Sequence, residues 1–253
     1  GTRLIVSRHA PSDSVLDAFV ASLGSRKHNH AFVGLTARHA NHPPLQPASS
    51  GVVTSVARRQ LPTADKVREI RCSVRLGYGG SSFRCARDAL LNWRMHSGSP
   101  HTAIHCGPGR DVATVASLGP HWLPLWVANP CRKVYEERGQ RAVAISYATL
   151  QRHKIAGEER MSVRWHAATD EVVFEVMSLA RGSGLLGRLL FPFLFPEQQR
   201  FFEEQARCML ELVVTPTLKM SPTARWLRVH EVSTGVPSPG NYNKMLHASF
   251  PAA

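Results

Sequence analysis

The sequence predicts an α+β fold: a curved antiparallel sheet gripped by a long C-terminal helix, with extended basic segments at both ends. Three observations carry this. Residues alternate in strand fashion beyond position 140, a broad apolar stripe runs from Pro196 to Val213, and positive charge collects at the termini. Of a net charge of +13, residues 1–75 hold +7, residues 76–212 hold +3 and residues 213–253 hold +3.

The elements follow in order. Ser14, followed by Val15, Leu16, Phe19, Val20 and Leu23 and closed by Gly24, reads as a short capped helix. A His/Pro/Ser-rich connector, "KHNHAFVGLTARHANHPPLQPASSG", and a basic stretch from Arg58 to Arg75 complete an N-terminal extension over 1–75. Proline pairs and small polar residues build no core of their own, so this extension is expected to lie over something else. The compact domain spans 76–212. Phe83, Ala86, Leu90 and Trp93 share one helical face, with Ser81 or Ser82 as its N-cap. Segments 101–106 and 121–128 read as short strands. Val143, Ile145 and Tyr147 alternate with small residues; Met161, Val163 and Trp165 do so with Ser162, Arg164 and His166; Val172, Phe174 and Val176 form a third run. "AATD" joins the last two runs as a hairpin. Pro196 suits the first turn of the long helix. Residues 213–253, with five prolines, read as an extended tail.

Composition narrows the classes. The apolar content of 43% supports a sizeable core. No run of about 18 uninterrupted apolar residues exists, so no transmembrane segment is expected. Five scattered cysteines without a C-x-x-C pair argue against a disulfide framework and a structural zinc site, and for small buried thiols in a reducing compartment. The first dozen residues hold Arg3, Ser7, Arg8 and Ser12 with no acid, a transit-peptide-like composition that points to mitochondria. Twenty-five of the 31 basic residues are Arg, whose planar fork suits phosphate.

Several stretches resemble chemical motifs. "LGYGGSS" (76–82) lacks the lysine of a phosphate-binding loop, so its glycines read as architecture. His101, His105 and Cys106 do not converge on one strand face, and no metal or cofactor is expected. Glu158 and Glu159 are adjacent on a strand and face opposite sides, so they cannot act together on one atom; one points into the domain near His153 or lines a cavity. Cys131 sits beside Arg132, a cation able to lower a thiol pKa, but no base completes a dyad. Trp122, Trp126, Tyr147, Trp165 and Phe174 fill the core or line a cavity.

"LGYGGSSFRCARDALLNW" (76–93), "WVANPCRKVYEE" (126–137), "ISYATLQRHKIAGEERMSV" (145–163) and "FEVMSLARGSGLLGRLLFPF" (174–193) stand in an order that resembles the bacterial and plant domain-of-unknown-function family number nineteen-ninety. Gly77, Tyr78, Gly79, Asn129, Pro130, Cys131, Arg132, Val134, Tyr135, Tyr147, Thr149, Leu150, His153, Gly157, Glu158 and Glu159 carry the resemblance; Ala148, Gln151 and Arg152 depart from it. The resemblance implies a START- or Bet v 1-like helix-grip fold enclosing an apolar cavity, and no reaction.

Three functions are weighed from this reading, the first favoured, with no small-molecule ligand expected. In the first, the chain is a non-enzymatic structural subunit of a large ribonucleoprotein, the mitochondrial ribosome in the matrix. Arg58, Arg59, Lys66, Arg68, Arg71 and Arg75, with Arg225, Trp226 and Arg228 in the tail, would then contact ribosomal RNA beside neighbouring subunits. In the second, the chain is a binder or enzyme for a hydrophobic small molecule held in the helix-grip cavity. In the third, it is a membrane-periphery subunit of a respiratory complex whose basic ends face anionic lipid.

Overall fold

The computed structural model describes residues 5–38, 45, 51–63, 65–97, 99, 102–107, 109–118 and 124–214. It is an α+β helix-grip fold. Nine antiparallel strands form one curved sheet: β1 (Ile5–Ser7), β2 (Val53–Gln60), β3 (Lys66–Tyr78), β4 (Thr102–Cys106), β5 (Asp111–Leu118), β6 (Leu125–Arg138), β7 (Ala142–Thr149), β8 (Ile155–Trp165) and β9 (Glu171–Gly182). Their order is β2-β3-β9-β8-β7-β6-β5-β4. The short β1 pairs with the first residues of β6, Ile5 facing Ala128, where β7 does not reach.

Period-two alternation divides the sheet into a concave and a convex face. The concave face carries Ile70, Cys72, Val74 and Leu76 of β3, Val143, Ile145 and Tyr147 of β7, Met161 and Val163 of β8, and Val172, Phe174 and Val176 of β9. Across it lie α3 (Gly79–Leu91), a 3-10 turn (Arg94–His96) and the 31-residue α4 (Gly184–Val214). Phe191, Phe195, Phe202, Ala206 and Met209 recur at helical spacing and seat α4 in this core. Each buried phenyl ring contributes about 1.5–3 kcal/mol. On the convex side α1 (Asp13–Ala21) buries Leu16, Phe19 and Val20 against Ala103, Ala113, Val115 and Ala128. Beside it α2 (Leu35–Arg38) lies over β8 and β9, where Phe32 meets Met177 and Leu179.

Three sequence expectations change. The basic stretch 58–75 is not an extension: it forms β2 and β3, integral strands of the sheet. Arg71 and Arg75 alternate with Ile70, Cys72 and Val74, whose burial fixes the register. Helix α3 begins at Gly79, behind an extended Tyr78, and neither serine caps it; Ser82 Oγ instead donates to Tyr78 O at 2.9 Å. Gly77 and Gly79 have positive φ, the architectural role expected of them. Lastly, α4 does not start at Pro196 but contains both Pro192 and Pro196. Both prolines lie on the exposed side, with Arg188, whose carbonyl Pro192 leaves without a helical donor, also exposed. The predicted β8–β9 hairpin is present, with Met161 facing Val176 and Val163 facing Phe174.

The tail residues Arg225, Trp226 and Arg228, along with Trp122 and His101, lie outside the described residues.

Candidate ligand cavity

A cavity of about 300 Å³ lies between the concave face and α4 and is partly open to the surface. Strands β5 to β8 form its floor, and Leu190, Leu194, Gln198 and Phe201 of α4 its roof. Thr114, Val115, Val127, Asn129, Thr149 and Ile155 add a mostly apolar wall with a few polar atoms.

One polar cluster stands inside. Glu159 of β8 faces Tyr147 of β7 directly across the ladder, so alternation turns both to the concave side. Tyr147 Oη donates to the Glu159 carboxylate. Gln198 Nε2 reaches Glu159 at 3.2 Å and Ser178 Oγ of β9 at 3.3 Å. Gln198 Oε1 is buried with no hydrogen-bond partner among the described residues.

Burial pushes the Glu159 carboxyl up to about 7, against the opposing pull of the Tyr147 and Gln198 hydrogen bonds. The same burial, with the Glu159 charge added, drives the Tyr147 hydroxyl well above its ordinary range. His153 also lines the cavity. Its Nδ1 accepts from Ile155 N at 2.9 Å, which leaves Nε2 as the protonated nitrogen of the neutral ring. Desolvation lowers its pKa to about 3, so it stays neutral. The cavity therefore offers one group, Glu159, that gains or loses a proton near neutral pH.

The neighbouring Glu158 faces the convex side and has a separate structural role. It is fully buried and takes bonds from Thr36 Oγ1, Thr36 N, Gly34 N and Ser146 Oγ, tying α2 to the sheet. The two glutamates thus diverge as strand geometry requires. Cys131 is buried on the concave side. Desolvation raises its thiol pKa, and the Glu159 charge adds to the rise. Its neighbour Arg132 turns away to pair with Asp111 at 2.5 Å.

Of the aromatic candidates, Tyr147 lines the cavity. Trp126 packs toward α1, and Phe174 lies fully buried in the main core. Trp165 stacks near Phe83 and donates Nε1 to Asp170 at 2.7 Å. The contributions of Ser178, Leu190, Leu194 and Gln198 had no sequence signal: they come from β9 and α4, brought together only by the fold.

The basic candidates do not form one patch. Arg59, Arg71 and Arg75 fall on the convex face and pair with Glu69, Glu175 and Glu171 at 3.1, 2.7 and 2.8 Å. Arg68 lies on the other face, its guanidinium over the Phe195 ring at 4.5 Å. Arg58 stands opposite Arg68 and Lys66 opposite Gln60, both exposed at the sheet edge. Among the described residues no group of three or more His, Cys, Asp or Glu could hold a metal ion. His105 instead meets Asp17 of α1 at 2.9 Å. No helix among the described residues is long and apolar enough to cross a membrane.

Known proteins share parts of this chain. The UPF0548 protein At2g17695 of Arabidopsis thaliana is 27% identical over 146 residues, 55% of this chain and 70% of that protein. Among solved structures, human STARD10 is 9% identical, with 80% of this chain and 81% of that one covered at a TM-score of 0.35. Norcoclaurine synthase from Thalictrum flavum is 10% identical, with 65% and 89% covered at a TM-score of 0.37. At TM-scores this low, the likenesses decide nothing about ligand or reaction. The family model of DUF1990, a domain of unknown function, matches residues 50–208, a span that takes in β2, β3 and every cavity-lining residue. Asn129, Tyr147, Thr149, His153, Gly157 and Glu159, which carry the family resemblance in the sequence, all line the cavity. The chain belongs to the DUF1990 family.

Proposed function

We propose that the chain binds an apolar small molecule bearing one hydrogen-bond donor, such as a hydroxyl or amine, inside the helix-grip cavity. The observation that carries this reading is a cavity of about 300 Å³ with mostly apolar walls, in which Glu159, Tyr147, Gln198 and Ser178 converge apart from the ion-paired Glu197, Arg200 and Glu204 that also line it. That is the composition expected of a small-molecule site, and its volume is at the lower end of the usual range. Glu159 is the acceptor for the donor group. The unmet acceptor on Gln198 is a deficit that the same ligand would relieve. A charged amine would hold Glu159 ionised, and a hydroxyl would be accepted by either protonation state.

The test is organic extraction of the purified chain followed by mass spectrometry, paired with titration of an environment-sensitive apolar dye. Leu194→Trp fills the roof and should lower dye affinity about tenfold, while Val56→Trp on the far edge strand should not. Equal dye binding by the two variants and the parent, with no extracted compound, refutes the reading.

A second reading follows from the net charge of +13: a structural subunit of a mitochondrial ribonucleoprotein, held to ribosomal RNA by its basic ends. Arg58 and Lys66 are the exposed candidates on the sheet edge, whereas Arg59, Arg71 and Arg75 are engaged with carboxylates. RNA retention that falls steeply with salt, and a native particle that shrinks under nuclease, would support it. RNA retention no stronger than that of a neutral carrier protein would refute it.

A further inference from the structure

The first turns of α4 present an apolar surface that neither the core nor the cavity uses. Leu185 is 88% exposed, Leu189 70% and Phe193 74%, spaced four residues apart along one face, with Leu186 at 51% beside them. Single exposed leucines are ordinary, but four large apolar side chains within nine residues of one helix are not. The neighbouring face of the same turns, Leu190 and Leu194, is the cavity roof.

The surroundings of this surface are basic. Ser183 N donates to Lys154 O at 2.8 Å, and Gly187 packs so closely that an added Cβ would collide with that carbonyl. The β7–β8 turn, with Arg152 and Lys154, is therefore pressed against the start of α4. Gln151 N donates to Lys27 O at 2.9 Å, and Asn29 Nδ2 reaches Ser183 Oγ at 3.2 Å, which adds Lys27 to the same end. Arg26 instead packs over the Phe19 ring and donates to Gln151 O. Arg188 is exposed among the leucines. The segments 24–33, 150–157 and 176–196 contain no Asp or Glu, and the next carboxylate along the helix face, the exposed Glu197, is paired with Arg200 at 3.2 Å. An apolar helix face with four cations on the segments beside it, and its one following carboxylate already ion-paired, matches the anionic lipid–water interface in both chemistry and charge.

We propose that this end of the molecule docks on an anionic lipid bilayer, with Leu185, Leu189 and Phe193 inserted at the acyl boundary and Lys27, Arg152, Lys154 and Arg188 over the headgroups. The surface does not depend on what the cavity holds. It would, however, place the cavity roof at the membrane. Pro192 and Pro196 remove two backbone hydrogen bonds from the roof helix at that point.

The experiment is co-sedimentation of the full chain with phosphatidylcholine vesicles, with and without phosphatidylserine. The expected result is binding to the serine-containing vesicles that weakens with salt, and an approximately tenfold or greater loss of partitioning in Leu189→Ser/Phe193→Ser. Both side chains are largely exposed, so the double variant should melt as the parent does. Phe193→Trp should keep binding and shift its emission to the blue on those vesicles. Three results would overturn the proposal: no sedimentation with either vesicle, unchanged partitioning of the double variant, or an emission from the Phe193→Trp variant that is indifferent to lipid. A parent that self-associates without lipid, through a surface lost in the double variant and with no vesicle binding, would assign the leucines to a second copy instead.

Discussion

Replacing Glu159 with Gln should make the protein more stable by an amount that grows from pH 4.5 and is complete above about pH 7. The carboxyl ordinarily titrates near 4.5 and is raised to about 7 in the fold, with burial the dominant cause. Below the unfolded value both states are protonated, and Glu159 exacts no penalty. As pH rises from 4.5 toward 7 the unfolded chain releases the proton while the folded chain keeps it, so stability falls. Above the folded value the penalty is complete. A shift of this size corresponds to at most about 3 kcal/mol. Glu159 is partly open to the cavity, and solvent there reduces the figure to roughly 1–3 kcal/mol. Glutamine keeps the shape and the Tyr147 hydrogen bond but cannot ionise. For a chain of this length the variant should melt about 3–8 °C above the parent at pH 8, and the gap should close by pH 4.5. Calorimetric melts of both proteins across that range measure it directly. A gap independent of pH, or a variant that melts lower at pH 8, refutes the assignment of Glu159 as a desolvated carboxyl.

Other outcomes follow from the same geometry. Tyr147→Phe removes the donor to the Glu159 carboxylate and should steepen the loss of stability with pH, costing more at pH 8 than at pH 5 in urea titrations. Asn29→Ala breaks bonds to Ile155 O, His153 O and Ser183 Oγ and strips Thr149 Oγ1 of its acceptor. It should cost about 2–3 kcal/mol and speed amide exchange selectively over 147–157. Gly187→Ala drives a methyl group into the Lys154 carbonyl, a backbone atom that cannot rotate away. It should cost about 1–3 kcal/mol by denaturant midpoint.

How much of this could be read from the chain varied with the kind of signal. The β8–β9 hairpin was legible because Met161, Val163, Phe174 and Val176 alternate cleanly around a short turn. Strand β3 was not, although Ile70, Cys72, Val74 and Leu76 keep the same period. Its convex face is armed with Arg71 and Arg75, and charge masked the alternation until Glu175 and Glu171 appeared on the neighbouring strand β9 as diagonal partners. The start of α4 was misplaced by twelve residues because Pro196 suits a first turn; its interior position is tolerated on an exposed face. In the cavity, Glu159 and Tyr147 stood out as motif residues, and the divergence of Glu158 from Glu159 followed from strand geometry alone. Gln198 and Ser178 did not stand out, because what matters about them is their convergence from α4 and β9. No local pattern encodes that.

The segment ahead of β2 has one more consequence, for the order of assembly. Residues 5–38 are synthesised well before most of their partners. Apart from Leu61 and Val67, which meet Phe32, these lie between Thr102 and Ser183, with β1 on β6, α1 on β4 and β5, and Asn29 on the β7–β8 turn. At ordinary elongation rates the wait for those partners is on the order of ten seconds. Leu16, Phe19 and Val20 are bare through that interval. A nascent chain built this way calls for a holding chaperone on that early segment, and closes its longest loop last.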